Sequence, residues 1–335
     1  MHRVGVIGST GIGQRHAKGI AGIAASAQVV AVCDLSTEAL DGFREKWGET
    51  WPDLCTYTSH GDMLEKEKLD IVTVATSDHA HAQLVVDATQ AGAKGIFCEK
   101  PLATTVEDAA RMVEACEQAG TRLSVDHTRR WLPLWNQAKS TIDAGDIGEV
   151  QYVVGSVRGA RAMLFRNGTH AMDSICWLAG EAQPAWVVAD LETGFEDWGS
   201  YRGDGGRNPA SEPGAYGMIK FTNGVRAFYA GGSKTTPGPK FTTEVIGTTG
   251  RLVITGNDKA TLFRGEVAEV VTAETWEVSG IEAGVQDLVR AVDEDCTPTS
   301  NGRNGQKVVK ILVGFLESQA AGHTPVTIPE GRGVA

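Results

Sequence analysis

The chain has 335 residues, more than one hydrophobic core usually serves, so two domains are expected. With 41% hydrophobic and 22% charged residues it has the balance of a soluble globular protein. A formal net charge of −11 argues against nucleic acid as a partner and permits a neutral or cationic substrate. No apolar run reaches membrane-spanning length, and the first apolar run begins too early to leave room for a signal peptide. Cys33, Cys55, Cys98, Cys116, Cys176 and Cys296 form no C-x-x-C pair and no cluster with histidine, which reads as buried, reduced thiols in a cytoplasmic protein.

Val4, Val6 and Ile7 form the short apolar run of a buried parallel strand, and glycines follow at once. Ile12, His16, Ala17 and Ile20 then recur at helical spacing. Strand, glycine turn and helix together present free backbone N–H groups to an anion. Gly8 and Gly13 take the first and last places of G-x-G-x-x-G, but Thr10 holds the middle one. That residue either pushes a pyrophosphate outward or donates its hydroxyl to it.

Gln28–Cys33 is a second β-branched run, ending in Asp34, 21 residues after Gly13. That is close to the roughly 20 expected of the acid that accepts hydrogen bonds from a ribose. A carboxylate there also repels a 2′-phosphate, favouring NAD over NADP. The competing reading makes Asp34 the cap of the helix that follows. Asp70–Ala75 is a third strand, followed by Thr76, Ser77, Asp78, His79 and His81. Gly95–Cys98 leads to Glu99-Lys100-Pro101, residues 104–118 are helical, and Arg122–Val125 is a strand leading to Asp126, His127, Arg129, Arg130 and Trp131. Strands alternating with helices to residue 124 predict a parallel sheet with every polar cluster at a strand carboxyl end, where such sheets bind ligands.

The ordered set Gly8…Gly11-Ile12-Gly13…His16, Asp34, Thr76…His81, Glu99-Lys100-Pro101, Arg129-Arg130, residues 145–149 and Gly168-Thr169-His170-Ala171-Met172-Asp173 resembles the Gfo/Idh/MocA family almost end to end. The resemblance implies an α/β fold with a doubly wound Rossmann domain over residues 1–124. An α/β domain with an open, largely antiparallel sheet over 125–335 would bind substrate and oligomerise. It implies hydride transfer to or from a ring hydroxyl or ketone of a sugar, amino sugar or cyclitol. It also implies assembly as a homodimer or homotetramer. Long strands over 150–157, 185–191, 215–221, 225–231, 242–248 and 250–255 fit the second domain. Asn223-Gly224 suits a hairpin turn, and residues 192–213 read as a loop near a site or an interface.

The resemblance places the cofactor on Gly8, Ser9, Thr10, Gly11, Ile12, Gly13, Asp34, Thr76, Ser77, His81, Glu99 and Lys100. It places substrate near His127, Arg129, Arg130, Trp131, Arg166, Asn167 and His170. For Arg129 and Arg130 an interdomain salt bridge is the equal alternative. The Lys100 ammonium can stabilise alkoxide character on the reacting oxygen, and His170 is the natural base for the hydroxyl proton. Many relatives carry aspartate four residues before this histidine, where this chain has Arg166. A cation there would lower the pKa of His170 and remove the carboxylate that orients its ring, a part Asp173 could take over. No His/Cys/Asp/Glu spacing suggests a metal. A non-enzymatic sensor and a redox-assisted lyase or glycosidase with retained NAD remain alternatives.

Overall fold

The computed structural model describes residues 1–159, 162–192, 212–232 and 238–329. The expected loop at 192–213 therefore lies almost wholly outside the described residues. The chain divides into two units. The first comprises Met1–Ala103, Glu107–Thr128 and Val278–Gly305, and the second Thr104–Val106, Arg129–Glu277 and Gln306–Ala335. Among the described residues no helix is long and apolar enough to cross a membrane.

In the first unit, strands β1 (His2–Ile7), β2 (Ala27–Cys33), β3 (Cys55–Tyr57), β4 (Ile71–Val74), β5 (Gly95–Cys98) and β6 (Arg122–Val125) form one sheet. Its order is β3-β2-β1-β4-β5-β6, with every pairing parallel. β1, β4 and β5 are apolar on both faces because helices cover both, as parallel crossovers require. Helices α1 (Ile12–Ala21), α2 (Thr37–Trp47), α3 (His60–Glu67), α4 (His81–Gln90) and α5 (Val106–Ala119) supply the crossovers. This is the Rossmann order, reversing direction between β1 and β4.

The sequence missed β3, a three-residue edge strand too short to show a period. The expected boundary at residue 124 also needs correction. The first unit continues to Thr128 and recovers residues 278–305, including α8 (Ile281–Asp293). Ile281, Val285, Leu288 and Val289 form the buried stripe of α8. Two glycines open the way for it. A Cβ on Gly19 would sit 3.1 Å from Val285 Cβ, and one on Gly95 only 2.7 Å from Val292 Cγ2.

The second unit is built on a nine-stranded sheet. It comprises β7 (Val150–Arg158), β8 (Pro184–Leu191), β9 (Ala215–Phe221), β10 (Arg226–Gly232), β11 (Phe241–Gly247), β12 (Arg251–Thr255), β13 (Lys259–Arg264), β14 (Val267–Val271) and β15 (Val326–Thr327). The order is β14-β13-β12-β11-β7-β10-β9-β8-β15, antiparallel except for β7 beside β10. Gly224, at φ +92, makes the turn between β9 and β10. On one face lie α6 (Pro133–Asp143), α7 (Thr169–Leu178) and α9 (Gly302–Ala320), the last from Gln306 onward. Gly155 admits Ile175 of α7, and Gly217 admits Phe315 of α9, where a Cβ would meet their side chains at 2.7 and 2.4 Å. The opposite face shows Tyr152, Tyr216 and Phe228, each about two-fifths exposed.

Candidate functional site

The glycine turn of the first unit is assembled by close backbone approach. Gly8 has φ +93, and a Cβ on it would lie 2.2 Å from the Ala75 carbonyl oxygen. A Cβ on Gly13 would lie 1.8 Å from the Gly8 carbonyl oxygen. Neither position can carry a side chain. Gly11 has φ +47 with nothing within 4 Å of its Cβ position, so it is open for a ligand. The positive-φ glycine absent at Thr10 is thus supplied one residue later. Thr10 is exposed at the tip of the turn, and its carbonyl accepts from the Gly13 N–H at 2.8 Å. Ile12, also partly exposed, begins α1, whose N-terminus has no side-chain cap. Its first N–H groups therefore remain available to a pyrophosphate, and the residues present fit a dinucleotide.

Asp34 leaves β2 beside this turn. Its Oδ2 accepts from both the backbone N–H and the Oγ of Ser9, each at 2.8 Å, and its Oδ1 accepts from Ser36 N–H at 3.1 Å. Burial alone would raise its pKa, but the bonds from Ser9 and Ser36 outweigh it and hold the carboxyl below its usual range. The cap of α2 is Ser36, whose Oγ accepts from Ala39 N–H at 3.2 Å. Asp34 therefore does not cap that helix through its own side chain.

The remaining expected cofactor residues of this unit fall on the carboxyl ends of β4 and β5. The Thr76 hydroxyl is buried with no hydrogen-bond partner among the described residues, a polar atom suited to a bound carboxamide or ribose, whereas Ser77 is exposed. His81 is fully buried. Its Nδ1 meets the Pro101 carbonyl at 3.0 Å and its Nε2 the Thr76 carbonyl at 3.3 Å. The ring is a strut between two strand-end loops, with burial lowering its pKa against the pull of Asp78. Glu99-Lys100-Pro101 includes a cis Lys100–Pro101 bond, and Glu99 Oε2 accepts from Lys100 N–H at 3.3 Å.

A grouping that sequence spacing hides lies behind this turn. One polar atom each of His16, Glu99 and Asp126 fall within 4.8 Å of one another, all buried. His16 Nε2 stands 3.6 Å from Glu99 Oε1. His127 next to them is buried too, its Nδ1 3.5 Å from Ser300 Oγ.

In the second unit Arg130 is committed to protein partners. Its guanidinium spans both oxygens of Asp173 at 2.8–3.0 Å and reaches Glu181 Oε1 at 2.6 Å. Burial would lower its pKa, but the two carboxylates push it above the ordinary value. This ion pair lies within the second unit, so the interdomain bridge is corrected for Arg130. Arg129 stacks its guanidinium 3.9 Å from the Phe241 ring centre, and its buried Nε has no hydrogen-bond partner among the described residues. Trp131 is buried.

Arg166 and Asn167 sit in a π-helical turn, Leu164–Gly168, that runs into α7. Such turns are rare and concentrate at functional sites. The turn is fastened by Glu212, whose Oε1 accepts from Arg166 N–H at 2.7 Å, and Asn167 is buried. His170 is half-buried in the first turn of α7, its ring edge-on to Phe241 at 6.4 Å. Asp173 follows one turn later. Two further polar groups here escaped sequence reading. Glu212 is 1% exposed, and Tyr229 has a buried hydroxyl where a Cβ on Gly168 would come within 2.8 Å. Tyr229 falls within the strand expected over 225–231, and nothing in the sequence signals that neighbour.

The Rossmann sheet with its glycine turn and the mixed second sheet define the class as a two-unit α/β protein of dinucleotide-binding fold. Residues 2–127 match the model of the oxidoreductase family with an NAD-binding Rossmann fold, and residues 135–253 that of the GFO/IDH/MocA C-terminal domain. The chain belongs to the Gfo/Idh/MocA family. It is 30% identical to an inositol 2-dehydrogenase of Salmonella typhimurium (strain LT2) over 53% of this chain and 55% of that one. The chain thus spans about half the length of such relatives. It is 28% identical to the rhizopine catabolism protein MocA of Rhizobium meliloti over 74% of this chain and 76% of that one. The WlbA dehydrogenase of Bordetella pertussis, solved with NADH and UDP-GlcNAcA, shares the fold at a TM-score of 0.79 and 23% identity, over 98% of this chain and 99% of that one.

Proposed function

We propose that the chain is an NAD(H)-dependent dehydrogenase or reductase that moves a hydride between nicotinamide and a ring hydroxyl or ketone of a sugar, amino sugar or cyclitol. The observation that carries the reading is Asp34, pinned by Ser9 beside the glycine turn, with Oδ1 accepting from the Ser36 N–H. An acid in that place accepts from ribose hydroxyls and repels a 2′-phosphate, which selects NAD over NADP. The substrate class is supported by the names of the relatives, an inositol 2-dehydrogenase among them.

When bound, nicotinamide supplies the two-electron hydride acceptor or donor. Lys100 hydrogen-bonds the reacting oxygen and stabilises its negative charge, and His170 takes or returns the hydroxyl proton. Asp173, held by Arg130, supplies a carboxylate on the His170 helix, and Asn167 hydrogen-bonds substrate hydroxyls. The reading extends to a cytoplasmic homodimer or homotetramer joined through the face that carries Tyr152, Tyr216 and Phe228.

The test is to release and identify any nucleotide that copurifies with the protein, then to screen sugars, amino sugars and cyclitols with NAD and NADP. Net NADH formation or consumption is expected. Retained NAD with substrate cleavage and no net NADH would replace the dehydrogenase by a redox-assisted lyase or glycosidase.

A further inference from the structure

Two buried acids at the carboxyl ends of β5 and β6, with His16 of α1 beside them, present a charge problem that the first unit has to solve. Glu99 is 8% exposed, Asp126 1% and His16 0%. A carboxylate oxygen of Asp126 lies within 4.8 Å of one of Glu99, and Asp126 Oδ1 accepts from Thr128 Oγ at 3.0 Å. Two ionised carboxylates are acceptors only, so they cannot bond to each other without a proton between them. Arg15 feels the charge of both carboxylates, but its side-chain hydrogen bonds go to Glu282 and it does not join the pair. Burial lowers the His16 pKa to about 4, so its ring is neutral at physiological pH. Arg15, on the same helix, is turned to Glu282, with its Nη2 2.7 Å from Oε2. Cys98 is buried among acids, and its thiol is pushed well up by that burial.

We propose that Asp126 is a proton-carrying positioning residue. At neutral pH its carboxylic acid donates to the Glu99 carboxylate, so the pair holds one proton and one negative charge. Glu99 then keeps an ionised oxygen to receive the Lys100 N–H, which fixes the turn that carries Lys100. Burial, with Glu99 next in weight, drives the Asp126 carboxyl well above its ordinary range, in the direction the geometry requires. The groups that face the pair are His16 and Arg15 from α1, Glu282 from α8, Cys98 from β5 and Thr128 beyond β6. The catalytic weight of the turn rests on the role proposed for Lys100, but the proton itself can be tested without turnover.

A carboxyl whose folded pKa is raised lends stability below its unfolded value, and that stability is lost as pH rises toward the folded one. Asp126→Asn keeps a donor toward Glu99 and has no proton to lose. The purified full-length chain and the variant are unfolded in urea at several pH values between about 5 and 8. The stability of Asp126→Asn relative to the parent is expected to grow with pH, the ratio of unfolding constants changing toward tenfold per pH unit. Infrared spectra at pH 7 are expected to show a carboxylic-acid C=O stretch in the parent that Asp126→Asn removes. Glu99→Gln, in which an amide donates to Asp126, serves as a second variant that also removes the band. A pH-independent difference with no acid band in the parent would overturn the proposal. So would stabilisation of the parent by Mn²⁺ or Zn²⁺ that Asp126→Asn abolishes, since a cation would then stand where the proton is placed.

Discussion

One oxygen of Asp34 accepts two hydrogen bonds from Ser9, from its backbone N–H and from its hydroxyl, each at 2.8 Å. The acid at the end of β2 therefore does two things. It locks the glycine turn at its second residue, and it leaves a negative edge toward the place where an adenosine ribose belongs. A change at Asp34 loosens the pyrophosphate loop and the ribose contact together.

Asp34→Ala is accordingly expected to weaken NAD by about 10- to 100-fold, the range for losing hydrogen bonds to a charged group, and to narrow the preference against NADP. Calorimetric titration with each nucleotide checks this, and an unchanged NAD/NADP ratio would remove the ribose role. There is also a pH signature. Because the folded carboxyl titrates below its ordinary range, its stabilisation is present above the unfolded pKa and is lost as pH falls through the folded one. The urea midpoints of the parent and Asp34→Asn should therefore differ at pH 7 and converge on acidification.

Asp173 allows a sharper separation of structure from chemistry. Its side chain is 1% exposed and paired with an Arg130 side chain that is 3% exposed. Removing one partner of a buried ion pair costs up to about 3–5 kcal/mol, and Glu181, 2.6 Å from Arg130 Nη1, keeps the loss at the lower end. Asp173→Asn is expected to lose stability of that order in urea unfolding. If the carboxylate also orients His170, the pH–rate profile of the surviving folded enzyme shifts as well. A large stability loss with an unmoved profile would confine Asp173 to holding Arg130.

The sequence was legible where chemistry is local. The glycine turn, Asp34 and the polar residues after β4, β5 and β6 each announce themselves within a few positions, and the parallel strands are apolar runs that neighbours cannot disguise. The strands it missed are β13, which lies inside the second sheet between β12 and β14, and two at sheet edges. β3 has three residues, and β14 is exposed along most of its length, so neither shows an alternating buried face. Long-range pairings were not legible at all. Arg130 meets Asp173 across 43 positions, and residues 278–305 return to the first unit because Gly19 and Gly95 make room for a distant helix. The grouping of His16, Glu99 and Asp126 uses one helix and two strand ends, and no spacing rule connects them.

Lys100 follows an apolar strand and precedes Pro101, so its backbone is set by the turn and its side chain can be truncated without moving the strand. Lys100→Ala is expected to lower turnover by about 100- to 10,000-fold, the usual weight of a positioned proton donor. NAD affinity should change only a few-fold, because the glycine turn and Asp34 are untouched. Fluorescence titration of NADH beside steady-state rates separates the two quantities. Equal losses in both would make Lys100 a cofactor contact.

Arg166 holds the most informative test of the proposed base. Its backbone N–H is anchored to Glu212, so replacing the side chain leaves the π-helical turn its fastening. A cation near His170 favours the neutral imidazole and lowers its pKa, which moves the acidic limb of the pH–rate profile down. Arg166→Asp reverses the sign of that charge and should raise the limb by about 1 pH unit or more, with Arg166→Ala falling between. Above the limb the imidazole is neutral in all three proteins, so their rates should converge if the charge acts only on the base. A limb that stays in place in both variants would show that the Arg166 side chain does not act on His170, and would leave the tuning of the base to groups on α7 itself.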